Sequence, residues 1–443
     1  MTTDHRPPAT AGPTSAAGPG GVRVEEFDGT AERIEGLRLL AENAFAEDQP
    51  PAAWALESQR FETGRGLVAL DDGQVVGSNL VYSLEVSVPG PVPAGRAGGA
   101  DAPGTRVVPA AAISFVCVLP SHRRRGIAAS LMAGVLAGVQ QRGTEPVAVL
   151  WASEATIYHR FGFGPATRFA SFVLPRRVGA VRAELTDPLT ARLVDPATHT
   201  AEVERLAATV RSVRPGMLAR PAHWVAGVVA DLPESRAGAF ALRCVLMSAG
   251  PRVRAVARYA ARPATGGAKG TEIVVREAYS DGPGSHAALF RWFTEMDLIG
   301  QVVAPLRPVD DPVLDQLVDA RSVDIRQGDA LWVRLVDLGR ALTARGYAGD
   351  VSAVLEVTDT VCPWNAGRWL MDITGGTATV TRTQEPPDLE LDVSALGAAY
   401  LGSAGTLSRL GRAGVVAVQT PGVLDRLSRS FESAVQPWAP WVF

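Results

Sequence analysis

The sequence predicts an α/β fold built twice in tandem and followed by an α+β module. Three observations carry that expectation. A strand, a basic turn closing on glycine, a helix and a second strand follow one another through residues 111–165. The same order returns over residues 272–304, without the arginine and glycine of the first turn. From about Val323 the apolar spacing changes to short strands mixed with short helices. At 443 residues the chain is long enough for about three domains, each burying its own core. The expected division is a disordered tail over 1–21, α/β units over 22–175 and 176–322, and the α+β module over 323–443.

Residues 1–21 are dominated by Pro, Gly, Ala and Thr and have little to bury. Val22 to Phe27 reads as a first strand. Thr30 can cap a helix running to about Ala46, with Ile34, Leu37, Ala41 and Phe45 on one face. Pro50 and Pro51 break it, and a second helix carries Trp54 and Phe61. Leu67–Leu70 and Gln74–Ser78 flank Asp71, Asp72 and Gly73, a hairpin signal. A long strand then runs to about Val88. Pro89 to Pro109 is rich in Gly and Pro and reads as a mobile loop between strands.

Residues 113–118 (ISFVCV) are β-formers, stopped by Pro120. After the basic turn, Ile127, Leu131, Val135 and Val139 lie four apart on one stripe of a helix. Pro146 to Trp151 is the second strand, and a short helix beyond it carries Tyr158. The turn spells Arg123-x-x-Gly126-x-Ala128. It resembles the pyrophosphate signature of GCN5-related N-acetyltransferases, which bind acetyl-coenzyme A. The residue types suit that task. N–H groups opening the helix have no intrahelical acceptor, and the macrodipole favours an anion there. Gly126 lets the backbone approach closely, and arginine side chains reach phosphate oxygens.

In the middle third, Val203–Val213 has a helical pattern. Strand-like runs follow at Ala241–Met247, Arg252–Tyr259 and Glu272–Ala278. Tyr279 to His286 forms a glycine turn ahead of a helix over Ala287–Leu298 and a strand over Gln301–Ala304. Asp281 and Pro283 stand where phosphate contacts would be needed, so this reads as a second copy that has lost the cofactor. His286 reads as a first-turn surface residue. The last third has no clustered His, Cys or carboxylates in its sequence to suggest catalysis of its own. Its ending, residues 437–443 (PWAPWVF), is aromatic and apolar, which argues for a terminus packed inward.

Composition narrows the function classes. With 47% hydrophobic and 20% charged residues this is an ordinary globular composition. A net charge of −3 offers no footprint for nucleic acid or an anionic membrane. Cys117, Cys244 and Cys362 are odd in number and scattered, so neither a disulfide framework nor a metal site is expected. Cys117 reads as a small buried residue. A run of about 18 apolar residues and a signal-peptide pattern are both missing, and the expected location is the cytoplasm.

Longer stretches narrow the resemblance. Ile113–Ala133 (ISFVCVLPSHRRRGIAASLMA) and Leu150–Thr167 (LWASEATIYHRFGFGPAT) are similar to the Eis (enhanced intracellular survival) family of N-acetyltransferases. The most specific element is S-E-x-x-I-Y-x-R-F-G-F/Y-G over Ser153–Gly164. Further likeness runs through Leu39–Phe45, Gly328–Ala348, Leu396–Leu407 and the terminal phenylalanine. The resemblance implies two tandem GCN5-related N-acetyltransferase folds, the second degenerate, and a sterol-carrier-like C-terminal domain. It also implies a homo-hexamer that acetylates amines of aminoglycosides or similar polyamines, with protein lysine as a further acceptor. Acetyl-CoA is the implied co-substrate, and no metal is implied.

Site residues come with the same resemblance. Tyr158 is implied as general acid to the leaving thiolate, and the α-carboxylate of Phe443 as base. Packing as a core plug is the open alternative for Phe443. Backbone groups of Phe115, Val116, Cys117 and Val118 would hold the pantetheine arm and polarise the acetyl oxygen. Arg123, Arg124, Arg125, Gly126, Ile127 and Ala128 would grip the diphosphate. Ser153 either caps its helix or meets the cofactor, and Glu154 beside it reads as a first-turn dipole partner or a cofactor neighbour. The implied acceptor groove holds Phe45, Glu47, Trp54, Phe115, Trp151 and Val442. There a carboxylate would face ammonium groups and aromatic faces would meet sugar rings. Trp151 stands where well-known members carry histidine, and Val442 replaces an acid, so both reduce polar grip on a polycation. Two other readings stay open: a lipid carrier that uses the acetyltransferase folds as scaffold, and an acetyl-CoA sensor without turnover. The complete turn and Tyr158 argue against a scaffold.

Overall fold

The computed structural model describes residues 16–18, 21–91, 104–176, 180–264 and 270–443. The tail expected to be disordered lies mostly outside them. Within them, Ala16–Ala17 pairs with Val24 and Arg23 as a two-residue strand, so order begins earlier than expected. Residues 92–103 of the expected loop also lie outside. Thr105–Pro109 departs from that expectation and opens the strand Thr105–Val118. Its start is tied down where Thr105 donates from N to Ser212 O at 2.9 Å and from Oγ1 to Arg211 O at 2.7 Å.

The chain forms two compact units, Met1–Tyr82 with Ile113–Gly138, and Ser83–Ala112 with Val139–Phe443. The strands Gln74–Pro89 and Thr105–Val118 and the helix Ile127–Arg142 each pass from one unit to the other.

The first unit carries an antiparallel ladder in the order Ala16–Ala17, Arg23–Glu26, Leu67–Asp71 and the start of Gln74–Pro89. Asp72 at φ 46° and Gly73 at φ 85° make the two-residue turn, both left-handed, as a tight hairpin requires. Thr30 caps the helix Ala31–Phe45, its side chain accepting from Arg33 N. Proline opens the helix Pro51–Ser58, which ends before Phe61. Phe27, Leu37, Trp54, Val68, Leu80, Ile127 and Leu131 share one apolar core.

In the second unit Ala110–Ala112 runs parallel to Val147–Val149, the signature of a βαβ crossover. Val147–Trp151 pairs on its other side with Leu331–Leu335, which also pairs with Gly164–Pro165. Leu331–Leu335 was expected in the last module, and its pairing moves it into the first copy. A seven-stranded sheet runs in the order Asp324–Asp329, Arg168–Pro175, Ile299–Pro308, Thr271–Ser280, Arg252–Pro263, Arg243–Ala249, Thr190–Val194. Thr271–Ser280 and Ile299–Pro308 are parallel and flank the helix Pro283–Glu295, so the second copy repeats the crossover of the first. Arg168–Pro175, expected to close the first copy, lies between two strands of this sheet. Phe172, Val275, Leu289, Phe290 and Phe293 lie in its core.

The last module is a five-stranded sheet of Thr377–Arg382, Gly367–Thr374, Val351–Thr358, Leu389–Asp392 and Val416–Val418. Its helices include Leu338–Ala344, Val393–Ala399, Thr406–Arg412 and Val423–Phe431. Buried Arg345 ties them together by donating to the carbonyls of Ala399, Tyr400 and Phe431.

Candidate active site

The basic turn of the first unit is open at the start of its helix. After the short 3-10 helix Pro120–His122, Arg124 (φ 63°) and Gly126 (φ 79°) take left-handed backbone conformations. The helix follows at once, Ser130 N donating to Gly126 O at 3.0 Å. Ile127 is buried, Ala128 half-buried, and Arg123, Arg124 and Gly126 are exposed. Arg123 leans on Ala44 O at 3.3 Å. Asp71 holds the other end, with its carboxylate 2.9 Å from His122 Nε2 and 3.6 Å from Arg125. The sequence pattern identified Asp71 as a hairpin residue; its role beside the turn comes from the fold.

The strand leading to this turn is kinked at Phe115, whose φ of 50° is a costly value for an aromatic residue. Ser78 Oγ secures the kink by donating to Phe115 O at 2.6 Å. Cys117 lies 3.3 Å from the same hydroxyl. Burial pushes its thiol up to about 11 despite that hydrogen bond, so it stays protonated near neutral pH and behaves as a packing residue. Val116 and Val118 on either side are half-buried.

Aromatic rings gather around the kink. Trp54 and Phe61 meet the Phe115 ring edge to face at centroid distances of 6.0 and 5.0 Å, and each other at 5.5 Å. Phe45 is 44% exposed at its helix end, and Glu47 is exposed just beyond Ala46, which turns left-handed at φ 56°. An open cleft of about 580 Å³ borders Trp54 and is lined by Glu35, Glu42 and Asp48 together with Arg38. Arg38 is already paired with Glu35 and Glu42.

In the second unit, Trp151 ends the strand Val147–Trp151 half-buried, and its indole N–H has no hydrogen-bond partner among the described residues. Ser153 and Glu154 are exposed. The cap position of the helix Ala155–Tyr158 is Glu154 (φ −134°), without a side-chain cap bond. Ser153 is therefore not the cap, because the helix begins one residue later than its spacing suggested. Tyr158 is 3% exposed and packs against Phe163 and Trp332 at 6.2 and 6.4 Å.

The chain end lies against the second copy. Trp438 is buried, donating to Pro215 O from its backbone and to Leu306 O from its indole. Trp441 packs on Trp224 at 5.9 Å, under the guanidinium of Arg220 at 5.3 Å, and beside Phe443 at 6.2 Å. Val442 is 55% exposed and Phe443 half-buried. Arg220 pairs below with Glu204 and Glu277, and Arg258 completes that buried network. Burial alone would push Glu277 up, but Arg220 and Arg258 outweigh it and hold the carboxyl below its ordinary range. None of this network was legible as a site in the sequence.

The second copy's turn is closed. Asp281 accepts from Ser285 Oγ at 3.0 Å and pairs with Arg252 and Arg254, while Asp187 pairs with Arg254 at 2.8 Å. A Cβ on Gly284 would meet Asp187 Oδ1 at 2.4 Å. His286, expected at the surface, is buried between Gln316 (3.0 Å) and Asp311 (3.1 Å), because its helix face turns toward the sheet.

Acetyltransferase (GNAT) domain models match residues 100–166 and 216–335, and a sterol carrier protein domain matches 338–440. An uncharacterized N-acetyltransferase of Streptomyces avermitilis is 38% identical over 86% of this chain and 90% of its own. N-acetyltransferase Eis of Mycobacterium tuberculosis is 31% identical over 92% of this chain and 96% of its own. The chain belongs to the Eis family. The crystal structure of Eis1 from Mycobacterium abscessus agrees at a TM-score of 0.77, with 32% identity over 95% of this chain and 100% of that one. The Eis-family chain is thus an N-acetyltransferase with two GNAT folds and a sterol-carrier-like domain. GNAT enzymes use acetyl-CoA, and the open, cationic first turn suits its diphosphate where the second, filled by carboxylates, does not. Among the described residues no helix is long and apolar enough to cross a membrane.

Proposed function

We propose that the enzyme transfers acetyl from acetyl-CoA to primary amines of aminoglycosides or similar polyamines, by direct attack within the first copy. Bound acetyl-CoA supplies an activated thioester. Arg123, Arg124, Arg125 and the helix N-terminus hold its diphosphate, and the kinked strand at Phe115–Val118 orients its acetyl arm. Tyr158 protonates the departing sulfur, and the α-carboxylate of Phe443 takes the proton from the attacking ammonium. Glu47 and the Trp54 and Phe115 rings receive the acceptor, and Phe45, Trp151 and Val442 are further acceptor-binding residues in this reading. The proposal includes the division into 22–175, 176–322 and 323–443, apart from the exchanged strands Arg168–Pro175 and Leu331–Leu335, together with the homo-hexamer, a protein lysine as further acceptor, and a cytoplasmic setting suited to three free cysteines.

The observation that supports this reading is the packed chain end, where Trp438 is buried and Trp441 packs on Trp224 and beside Phe443. Adding one residue after Phe443 tests it. Thiol release in the presence of an amine panel should be abolished while acetyl-CoA affinity is retained. Undiminished turnover by the extended protein would remove the carboxylate from the mechanism.

A further inference from the structure

Glu57 has no place in the chemistry above, yet its surroundings are unusual for a helix-surface carboxylate. It lies three residues after Trp54 on the helix Pro51–Ser58, so the two share a face. Its Oε2 pairs with Arg60 at 2.9 Å, and Oε1 stands 3.5 Å from the hydroxyl of Tyr82. Tyr82 is fully buried and hydrogen-bonds in turn to the side chain of Ser114, the neighbour of the kinked Phe115. A polar thread therefore runs from Glu57 through Tyr82 to Ser114, whose neighbour Phe115 belongs to the ring cluster with Trp54 and Phe61. The Glu57 side chain keeps 28% of its exposure, so a ligand can reach it.

Electrostatics point the same way. Burial holds the Glu57 carboxyl above its ordinary range, and Arg60 and Tyr82 only partly offset it. A cation brought alongside would favour the charged form. An ammonium placed between a carboxylate and aromatic faces is attracted by both.

We propose that Glu57 binds an ammonium group of the acceptor at the rim of the Trp54–Phe61–Phe115 cluster and thereby selects acceptors that carry more than one amine. The proposal rests on the reading that the enzyme acetylates amines. The test measures binding and turnover separately, with kanamycin as the polyamine, glucosamine as the monoamine, and wild type beside Glu57→Gln and Glu57→Asp. Glutamine keeps the shape and a hydrogen-bond partner for Tyr82. Glu57→Gln should weaken kanamycin binding by calorimetry, and raise its KM, at least tenfold. The KM for acetyl-CoA should stay within twofold, Tm should be unchanged, and glucosamine should be affected far less. Glu57→Asp should recover part of the loss. Equal kanamycin binding by wild type and Glu57→Gln, or a parallel rise in both KM values, would overturn the proposal. Kanamycin binding that depends on Glu57 without turnover would support the site and refute the catalytic reading instead.

Discussion

The two glycine turns of this chain open equivalent helices, each between the parallel strands of a crossover, and they meet opposite ends. At Arg123–Ala128 the helix start is surrounded by guanidinium groups and a left-handed glycine. At Asp281–His286 the chain's own carboxylates fill the equivalent place. Asp281 is held by Ser285, Arg252 and Arg254, and Asp187 lies against Gly284. Burial would raise the Asp281 carboxyl, but its hydrogen bonds from Arg254 and Ser285 and its cationic neighbours hold it below its ordinary range. A helix N-terminus attracts an anion in either case. Whether that anion is a ligand or a side chain follows from the charges around it: the second turn is locked by the chain's own carboxylates, and the first is left open for the proposed cofactor.

The comparison and the proposed function together predict that chemistry belongs to the first copy. The largest expected effect follows from Tyr158→Phe, which should lower turnover about 10²–10⁴-fold. The KM for acetyl-CoA should hardly move, and thiol release is the measurement. Activity close to wild type would mean that another acid, or the second copy, does the work. A paired substitution sharpens the contrast. Gly126→Ala, forced to a left-handed φ of 79°, should raise the acetyl-CoA KM about tenfold, since about 1 kcal/mol or more of strain falls on the gripping turn. Gly284→Ala should leave that KM alone and lower Tm, because its methyl group would press on Asp187. Matching effects from the two would break the comparison.

Glu47→Ala should act more gently. Because Glu47 is exposed, losing its charge should raise the KM for a polyamine about two- to fivefold and leave acetyl-CoA untouched. Equal changes in both would make Glu47 a structural residue. The last effect is on stability alone. Burial would raise the Asp311 carboxyl, but Arg307 and His286 hold it well below its ordinary range. A depressed carboxyl contributes fully above its unfolded value and loses that contribution as pH falls through it. Acid melting should therefore steepen below about pH 4, by at most about 1.4 kcal/mol per pH unit for one proton. Asp311→Asn should flatten that slope, whatever it costs at neutral pH.

Much of the architecture was legible because it is written locally. The stripe from Ile127 to Val139, the Asp72–Gly73 hairpin, the Thr30 cap and the altered second turn each follow from neighbours a few residues apart. The strand partners of Leu331–Leu335 and Arg168–Pro175 were not legible, since periodicity reports a buried strand and says nothing of its neighbour. The kink at Phe115 had no local signal either; Ser78 stabilises it from a different strand. Glu57 and His286 were missed or misplaced for the same reason. Their environments are made by Tyr82 and Ser114 in one case, and Gln316 and Asp311 in the other, all distant in sequence.

The pairing of Leu331–Leu335 with Val147–Trp151 has a consequence for how the enzyme is made. On the ribosome, the first copy waits with an open edge until nearly three quarters of the polypeptide has emerged, and most of the second copy is made in that interval. Excising the amino-terminal half as a minimal catalyst would leave that edge bare and ready to recruit a stranger's strand. A fragment that keeps this pairing must therefore extend at least to Leu335, and insertions between the copies are constrained by the need for a late segment to return to an early one.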